Sequence, residues 1–304
     1  MHLRKPTDPV PVKVIRNELC TANKKAAGFV RHIEFDVSGT ELEGQCVAGQ
    51  SVGVLPPGVD EQGRAHKVRL YSLASPTAGE DGKGKVFSTT VKRTIDENWE
   101  THKLFLGVAS NFLSDAQVGD TIMMSGPNGK RFVLPADVHA HDYLFLATGT
   151  GIAPYRGMLL DLFQAGYTGR VSLVMGAPYA TDLLYHDQFL SLAREHKNFT
   201  YLTAISREQQ ADGHDRMYVQ DRLRVNADDL LPQLSSERNL VYICGIAGME
   251  LGILQQLALV LQGEALSQYL QVDQSVMHDI RGWDRRMLHK EVRPTRRMLM
   301  EVYA

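Results

Sequence analysis

The apolar run Tyr143-Leu144-Phe145-Leu146-Ala147-Thr148 stops at Gly149-Thr150-Gly151-Ile152-Ala153-Pro154 and resumes as Tyr155-Arg156-Gly157-Met158-Leu159-Leu160. This order spells a buried strand, a tight turn and a helix. Two glycines let the backbone turn sharply and approach a ligand closely, and Pro154 suits a first helical turn, where its missing N–H is not needed. The exposed amides and dipole of such a helix start attract a phosphate. Glycine turns after buried strands also serve simply to reverse the chain, so Thr150, Gly151 and Pro154 are candidate nucleotide-binding residues that need support from elsewhere.

A chain of 304 residues exceeds what a single hydrophobic core of roughly 250–300 residues comfortably organises, so two domains are expected. Short β-rich runs at 12–19, 29–37, 51–55, 67–74, 86–93 and 121–124, with turn signals between them, predict an antiparallel barrel over 1–138. A polar loop is expected at 77–84 and a turn at Gly126-Pro127-Asn128-Gly129. From 139 to 304 the pattern changes. Apolar strands at 143–148, 171–176, 199–206 and 240–244 alternate with helical segments at 155–164, 183–196, 218–225 and 249–261. That alternation predicts a doubly wound parallel sheet with ligands outside the carboxyl ends of its strands. The fold class is therefore β + α/β.

The formal net charge of −2 is too small for a nucleic-acid binder. No apolar stretch reaches the ~20 residues of a transmembrane segment, and the start lacks a secretory apolar core, so a cytoplasmic protein is expected. Cys20, Cys46 and Cys244 are odd in number and scattered, which fits neither a disulfide framework nor an iron–sulfur or zinc site; no bound metal is expected.

In the first domain, Arg69-Leu70-Tyr71-Ser72-Leu73-Ala74-Ser75 offers a guanidinium, an aromatic ring and a hydroxyl that can clamp a phosphate, stack on a flat ring and hydrogen-bond to it. A surface strand with one polar face would read the same way. The Arg-x-Tyr-Ser strand, the segment 149–154, Tyr242-Ile243-Cys244-Gly245 and the terminal Glu301-Val302-Tyr303 nevertheless occur together in the order found in plant-type ferredoxin–NADP reductases, which this chain resembles. Segments 49–54, 91–93 and 107–113 resemble that family as well.

The resemblance implies an FAD-binding barrel followed by an NADP-binding α/β domain. It assigns Arg69 to the FAD pyrophosphate, Tyr71 to one face of the isoalloxazine and Ser72 to the neighbourhood of the ring nitrogen that exchanges hydride. Thr90, Lys92 and Ser110 would line the rest of that site. A tyrosine that the family often places against the adenine is replaced here by Thr94-Ile95-Asp96-Glu97-Asn98-Trp99, with Trp99 as substitute. Cys244 would touch the nicotinamide without acting as a nucleophile. Tyr303 would cover the flavin face where the nicotinamide docks, and Glu301 would lie close to Ser72 and couple protons to flavin reduction. Met298 to Tyr303 also reads as a final strand, and Ala304 extends the chain one residue past the usual terminal tyrosine.

Ser206-Arg207 and Arg216-Met217-Tyr218-Val219-Gln220 provide a hydroxyl, two guanidinium forks and an aromatic ring. These suit the dianionic 2′-phosphate and adenine of NADP better than the ribose hydroxyl of NAD, for which an acidic residue is the natural partner. Solvated arginines paired with Glu208 or Asp215 are the alternative. Arg281, Arg285, Arg286, Lys290, Arg293, Arg296 and Arg297 make the C-terminal segment basic, which would steer an acidic ferredoxin or flavodoxin. The expected enzyme is a monomeric flavoprotein passing electrons between NADP(H) and such a protein. A reductase component of an oxygenase system is the runner-up; a non-catalytic nucleotide sensor would have had no need to keep Ser72, Glu301 and Tyr303.

Overall fold

A computed structural model describes residues 3–21 and 29–303, which form two compact units. The first comprises the described residues up to Leu134 together with Ala153–Gly166; the second comprises Pro135–Ile152 and the described residues from Tyr167 onward.

Strands β1 (Val10–Leu19), β2 (Val30–Asp36), β3 (Ser51–Leu55), β4 (Arg69–Ser72), β5 (Val86–Lys92) and β8 (Thr121–Asn128) form one antiparallel sheet in the order β4-β3-β8-β1-β2-β5. Its two edges meet. Leu73 bridges Thr89, the Ala74 amide donates to the Ser88 carbonyl at 2.8 Å, and Thr89 Oγ1 donates to the Ser72 carbonyl at 2.8 Å, so the sheet closes as the expected barrel. Alternation explains its core: Val12 and Val14 on β1, Ile33 and Phe35 on β2, and Val52 and Val54 on β3 point inward and are buried.

Strand β8 runs through the expected turn as far as Asn128, which pairs with Ser51; a register shift between Ser51 and Gly53 absorbs the change. Three short elements escaped the pattern. The hairpin β6 (Ile95–Glu97) and β7 (Leu104–Leu106) is exposed at all six positions and so has no inward face for a period-two signal. Helix α1 (Val108–Asp115) is only 8 residues long.

Helix α2 (Ala153–Gln164) joins the barrel unit, although the sequence placed it beyond the expected division at 138/139. Polar and close contacts explain the difference. Arg156 donates to both oxygens of Glu80 at 2.6 and 3.2 Å and to the Ala74 carbonyl at 2.9 Å, while Asp161 accepts from the Thr77 amide and hydroxyl at 2.8 and 2.6 Å. The polar loop at 77–84 is thereby anchored. Glu80 also accepts from Ser88 at 2.6 Å, and with His32 and Glu34 it forms a cluster whose ligand-type atoms lie within 4.8 Å of one another. The carboxylates there already serve guanidinium groups: Glu80 holds Arg156 and Glu34 holds Arg16 at 2.9 Å. Burial, reinforced by Arg156, holds His32 below the usual imidazole range.

The second unit is built on β9 (Asp142–Thr148), β10 (Val171–Ala177), β11 (Phe199–Ile205), β12 (Asn239–Ile246) and β15 (Met298–Tyr303), all parallel, in the order β11-β10-β9-β12-β15. Chain order starts at the centre and grows outward in both directions, as a doubly wound sheet requires. Segment 298–303 is thus a strand as well as the chain's end. Helices α3 (His186–Glu195), α4 (Arg222–Val225), α5 (Ala227–Leu234), α6 (Met249–Val260) and α7 (Gly263–Ser267), with the small hairpin β13 (Leu270–Val272) and β14 (Val292–Pro294), complete the unit. The helix expected at 218–225 is a 3-10 turn at Val219–Asp221 followed by α4. Helix α5 carries Pro232, which hid it from a periodicity reading.

At the amino ends of the strands a buried polar network ties α5 to the sheet. Gln233 accepts from Ser172 at 2.7 Å and donates to the Tyr143 carbonyl and to Asn239, both at 2.9 Å; Asn239 donates to the Tyr269 hydroxyl at 3.0 Å. Replacing Gln233 with Leu strands several buried groups at once. Gln233→Leu is expected to lower unfolding free energy by about 2–4 kcal/mol, measured by denaturant titration.

Candidate functional site

The carboxyl edge of the second sheet is where Gly149, Thr150 and Gly151 turn out of β9. Gly151 sits so tightly on the end of β12 that an added Cβ would lie 2.2 Å from the Cys244 carbonyl oxygen and 2.7 Å from Gly245 Cα. Gly245, at φ +151, answers it from the other strand, where a Cβ would lie 2.1 Å from Thr148 Oγ1. Thr148 Oγ1 in turn accepts from the Ile246 amide at 3.0 Å. Glycine at both positions lets the two strand ends interlock.

The terminal strand brings the remaining side chains to the same edge. In parallel register Cys244 lies opposite Glu301 and Ile246 opposite Tyr303, and the Ala247 amide donates to the Tyr303 carbonyl at 2.8 Å. The Tyr303 hydroxyl and Thr150 Oγ1 share a hydrogen bond of 2.6 Å, while the residue as a whole is 42% exposed. Ala304 lies outside the described residues.

Burial, and after it the Glu301 carboxylate, pushes the Cys244 thiol up. It stays protonated at neutral pH and shapes the site without attacking anything. Desolvation raises Glu301 to about 7. Together with Glu250, Arg285, Leu288, His289, Met300 and Val302 it lines a cavity of about 390 Å³. Arg285 Nε donates to Glu250 at 3.1 Å, and Glu250 accepts from the Gly248 amide at 2.6 Å, so the other carboxylate in the cavity is already neutralised.

Beyond β11 the two segments expected at the nucleotide's adenosine end are indeed neighbours. The Met217 amide donates to the Ile205 carbonyl at 2.9 Å, and buried Gln210 bonds both the amide and the carbonyl of Ile205 at 2.9 and 2.7 Å. Buried Arg222 locks the connecting loop by donating to Asp212 at 2.6 Å and to the Thr203 carbonyl at 2.7 Å. Ser206 and Arg207 are pinned through their amides to the Ala177 and Pro178 carbonyls, each at 3.0 Å. Arg207 is exposed, and Tyr179, Tyr218 and Asp182 all favour its charged form. Glu208 turns to the Ala180 amide at 2.8 Å instead of pairing with Arg207. Tyr218 is 65% exposed, and Gln220 rests beside Gly252 of α6. Arg216 makes no ion pair with any described residue. Tyr179, whose ring centroid lies 5.6 Å beneath the Arg207 guanidinium carbon, is the neighbour that the sequence did not point to. It follows a different strand and belongs to no motif.

In the barrel unit, Arg69, Tyr71 and Ser72 lie on β4, beside Thr90 and Lys92 of β5. Arg69 donates only to its neighbour's carbonyl, Val68 O at 3.3 Å, and forms no ion pair with a described residue. Tyr71 packs against the barrel core, and burial pushes its phenol up to about 12. Thr90 is buried and Lys92 exposed. The Ser110 hydroxyl is engaged, accepting from the Thr94 amide and donating to the Gly107 carbonyl, both at 3.1 Å, so it braces the start of α1. Trp99, at the tip of the β6–β7 hairpin, is 87% exposed.

Residues 145–254 match the family model described as an oxidoreductase NAD-binding domain. The ferredoxin–NADP reductase of a Spirulina species is 38% identical over 83% of this chain and 87% of its own length. The chain belongs to the ferredoxin–NADP reductase family. Chloroplastic leaf isozyme 1 of Arabidopsis thaliana is likewise 38% identical, over 82% of this chain and 69% of its own. The longer reductase of Thermosynechococcus vestitus is matched over 66% of its length. Among solved structures, the ferredoxin–NADP⁺ reductase of Plasmodium falciparum superposes with a TM-score of 0.74 over 99% of this chain and 98% of its own, at 22% identity. A point mutant of that protein, solved with 2′P-AMP, gives 0.73 at 20% identity, covering 100% and 99% of the two chains. These likenesses agree with the β + α/β fold.

The interlocked glycines give a direct check. Gly151→Ala forces a methyl group into a backbone carbonyl and is expected to cost several kcal/mol in stability, about 3 or more by analogy with overpacking. Gly149→Ala has open space around it, and only its φ of +53 opposes a side chain, so about 1–2 kcal/mol is expected. Parallel urea titrations of the two variants measure the contrast.

Proposed function

We propose that this chain transfers electrons between NADP(H) and a ferredoxin or flavodoxin, with FAD as its resident cofactor. The observation that carries the reading is the convergence of Thr150, Gly151, Cys244, Glu301 and Tyr303 on one sheet edge, in a chain 38% identical to named reductases. The barrel residues fit FAD: Arg69 is a guanidinium without a carboxylate partner among the described residues, Lys92 is exposed, and Tyr71 and Ser72 follow on the same strand. Arg69 would take the pyrophosphate, Tyr71 a face of the ring system and Ser72 a hydrogen bond to it, with Thr90, Lys92 and the backbone around Ser110 lining the remainder. FAD, when bound, supplies the exchange between hydride on the nucleotide side and single electrons on the protein side.

The chain's own residues bind, orient and move protons. Thr150 and Gly151 would take the central part of NADP(H), with Pro154 opening the helix that follows. Ser206, Arg207, Arg216, Tyr218 and Gln220 would take its 2′-phosphate and adenine. Tyr303, bonded to Thr150, covers the loop and has to swing aside when nucleotide enters. Glu301, at about 7, is balanced between donor and acceptor at neutral pH and faces a cavity that can admit water.

Purified protein carrying FAD should lose its yellow colour with NADPH, regain it on adding oxidised ferredoxin, and respond poorly to NADH; absence of bleaching by NADPH overturns the reading. Glu301→Gln should slow the bleaching and remove an inflection near pH 7 from its rate profile. The same substitution has a stability signature. The folded state raises Glu301 above its ordinary 4.5, so the folded protein retains this proton longer and the group's penalty grows from about pH 4.5 to about 7. Glu301→Gln should therefore gain stability relative to the native chain above pH 7 and not below pH 4, by about 1–2 kcal/mol for a partly buried group.

The basic C-terminal segment divides in two. Arg285 is engaged by Glu250 and Arg297 by the Glu237 carbonyl, whereas Arg281, Arg286, Lys290, Arg293 and Arg296 form no ion pair with any described residue. The acids Asp273, Asp279 and Asp284 face backbone amides instead. These unpaired cations support docking of an acidic redox protein by a chain acting as a cytoplasmic monomer. Reversing both Arg286 and Arg293 to Glu should slow ferredoxin reduction severalfold at low salt, progressively less as salt rises, and leave NADPH-driven reduction of a small dye unchanged.

A further inference from the structure

Arg207 has the freedom of a long surface side chain at its tip and none at its base. Its amide is fixed to the Pro178 carbonyl at 3.0 Å, which carries the side chain across the loop that follows β10. There the guanidinium carbon stands 5.6 Å from the centroid of the Tyr179 ring. A carboxylate could have held the same guanidinium, but Glu208 is occupied with the Ala180 amide at 2.8 Å.

The difference between a ring and a carboxylate matters for what Arg207 can do next. A carboxylate binds the N–H edge of a guanidinium, the edge a phosphate dianion needs, and has to be displaced first. Tyr179 offers its ring to the guanidinium and a neutral hydroxyl that accepts from it, so the remaining N–H donors stay directed outward and no bound charge has to be displaced. An unheld arginine would surrender about 2 kcal/mol of rotamer entropy on capture by a ligand. One already resting on a ring surrenders less.

We propose that Tyr179 is a positioning residue that holds Arg207 through its ring and its hydroxyl, presenting the remaining N–H donors to the 2′-phosphate of NADP(H) and so contributing to the choice of NADP over NAD. The proposal rests on the nucleotide reading of the previous subsection. Tyr179 itself touches no phosphate in this scheme. Its effect passes through Arg207.

The test uses the whole protein and two probes, 2′-phospho-AMP and AMP, with affinities measured by calorimetry. Tyr179→Leu keeps bulk and removes the π face. It is expected to weaken 2′-phospho-AMP about 2- to 5-fold, the range of an exposed cation–π contact of about 0.5–1 kcal/mol, and to leave AMP unchanged. Tyr179→Phe, which keeps the ring and loses the hydroxyl, should recover only part of the native affinity. In an Arg207→Ala background, Tyr179→Leu should have no further effect on 2′-phospho-AMP, whereas loss of a merely structural side chain would still weaken it. Equal losses for both probes, persistence of the effect without Arg207, or a Phe variant no better than the Leu variant would each overturn the proposal. If Arg207→Ala itself leaves the ratio of the two affinities unchanged, the NADP clamp fails, and that outcome is distinguishable from failure of Tyr179 alone. Thermal melts of the four variants establish that each is folded.

Discussion

The nucleotide site proposed for the second unit depends on there being no side chain between Gly151 and the end of β12. A doubly wound parallel sheet takes its ligands outside the carboxyl ends of its strands, and here a turn that hugs the neighbouring strand brings two backbones together at that edge. Cys244 faces the turn from below, while β15, paired with β12 on its free side, delivers Glu301 and Tyr303 in fixed register. A one-residue slip of that register would reverse every side chain on β15. Backbone pairing, more than any individual hydrogen bond, keeps this constellation in place.

Stability and function occupy opposite ends of the same strands. At the amino ends the Gln233 network is closed and fully satisfied, and its members are buried. At the carboxyl ends, Arg207, Arg216 and Tyr218 are exposed and largely uncommitted. The arginines divide in the same way. Arg156 and Arg222 are spent on structure, fixing loops against strands, whereas Arg69 and Arg207 form no ion pair with a described residue. A guanidinium saturated by a carboxylate stiffens the fold, and one without such a partner is available to an anion.

Much of this was legible in the residues. Apolar strands separated by helical periods specified the parallel sheet, and the pairing of Cys244 with Glu301 is compatible with the motif order read from the sequence. What could not be read has physical causes. Six exposed residues in β6 and β7 carry no inward–outward rhythm, and Pro232 interrupts α5 where a helix was least expected. Helix α2 belongs with the barrel through Arg156 and Asp161, two charges whose partners lie about eighty positions away. Tyr179 was invisible because its partner follows another strand, and Ser110 proved to be a brace whose hydroxyl is already committed.

The short contact between the last tyrosine and Thr150 makes the chain's own end a resident competitor for the loop. A dinucleotide taking the proposed site would first have to evict it, and the phenol, tethered close by, would return at an effective concentration far above that of free nucleotide. Occupancy would then track supply instead of saturating early. On the proposed function, spent coenzyme would be cleared by the same recoil, which favours throughput over tight retention.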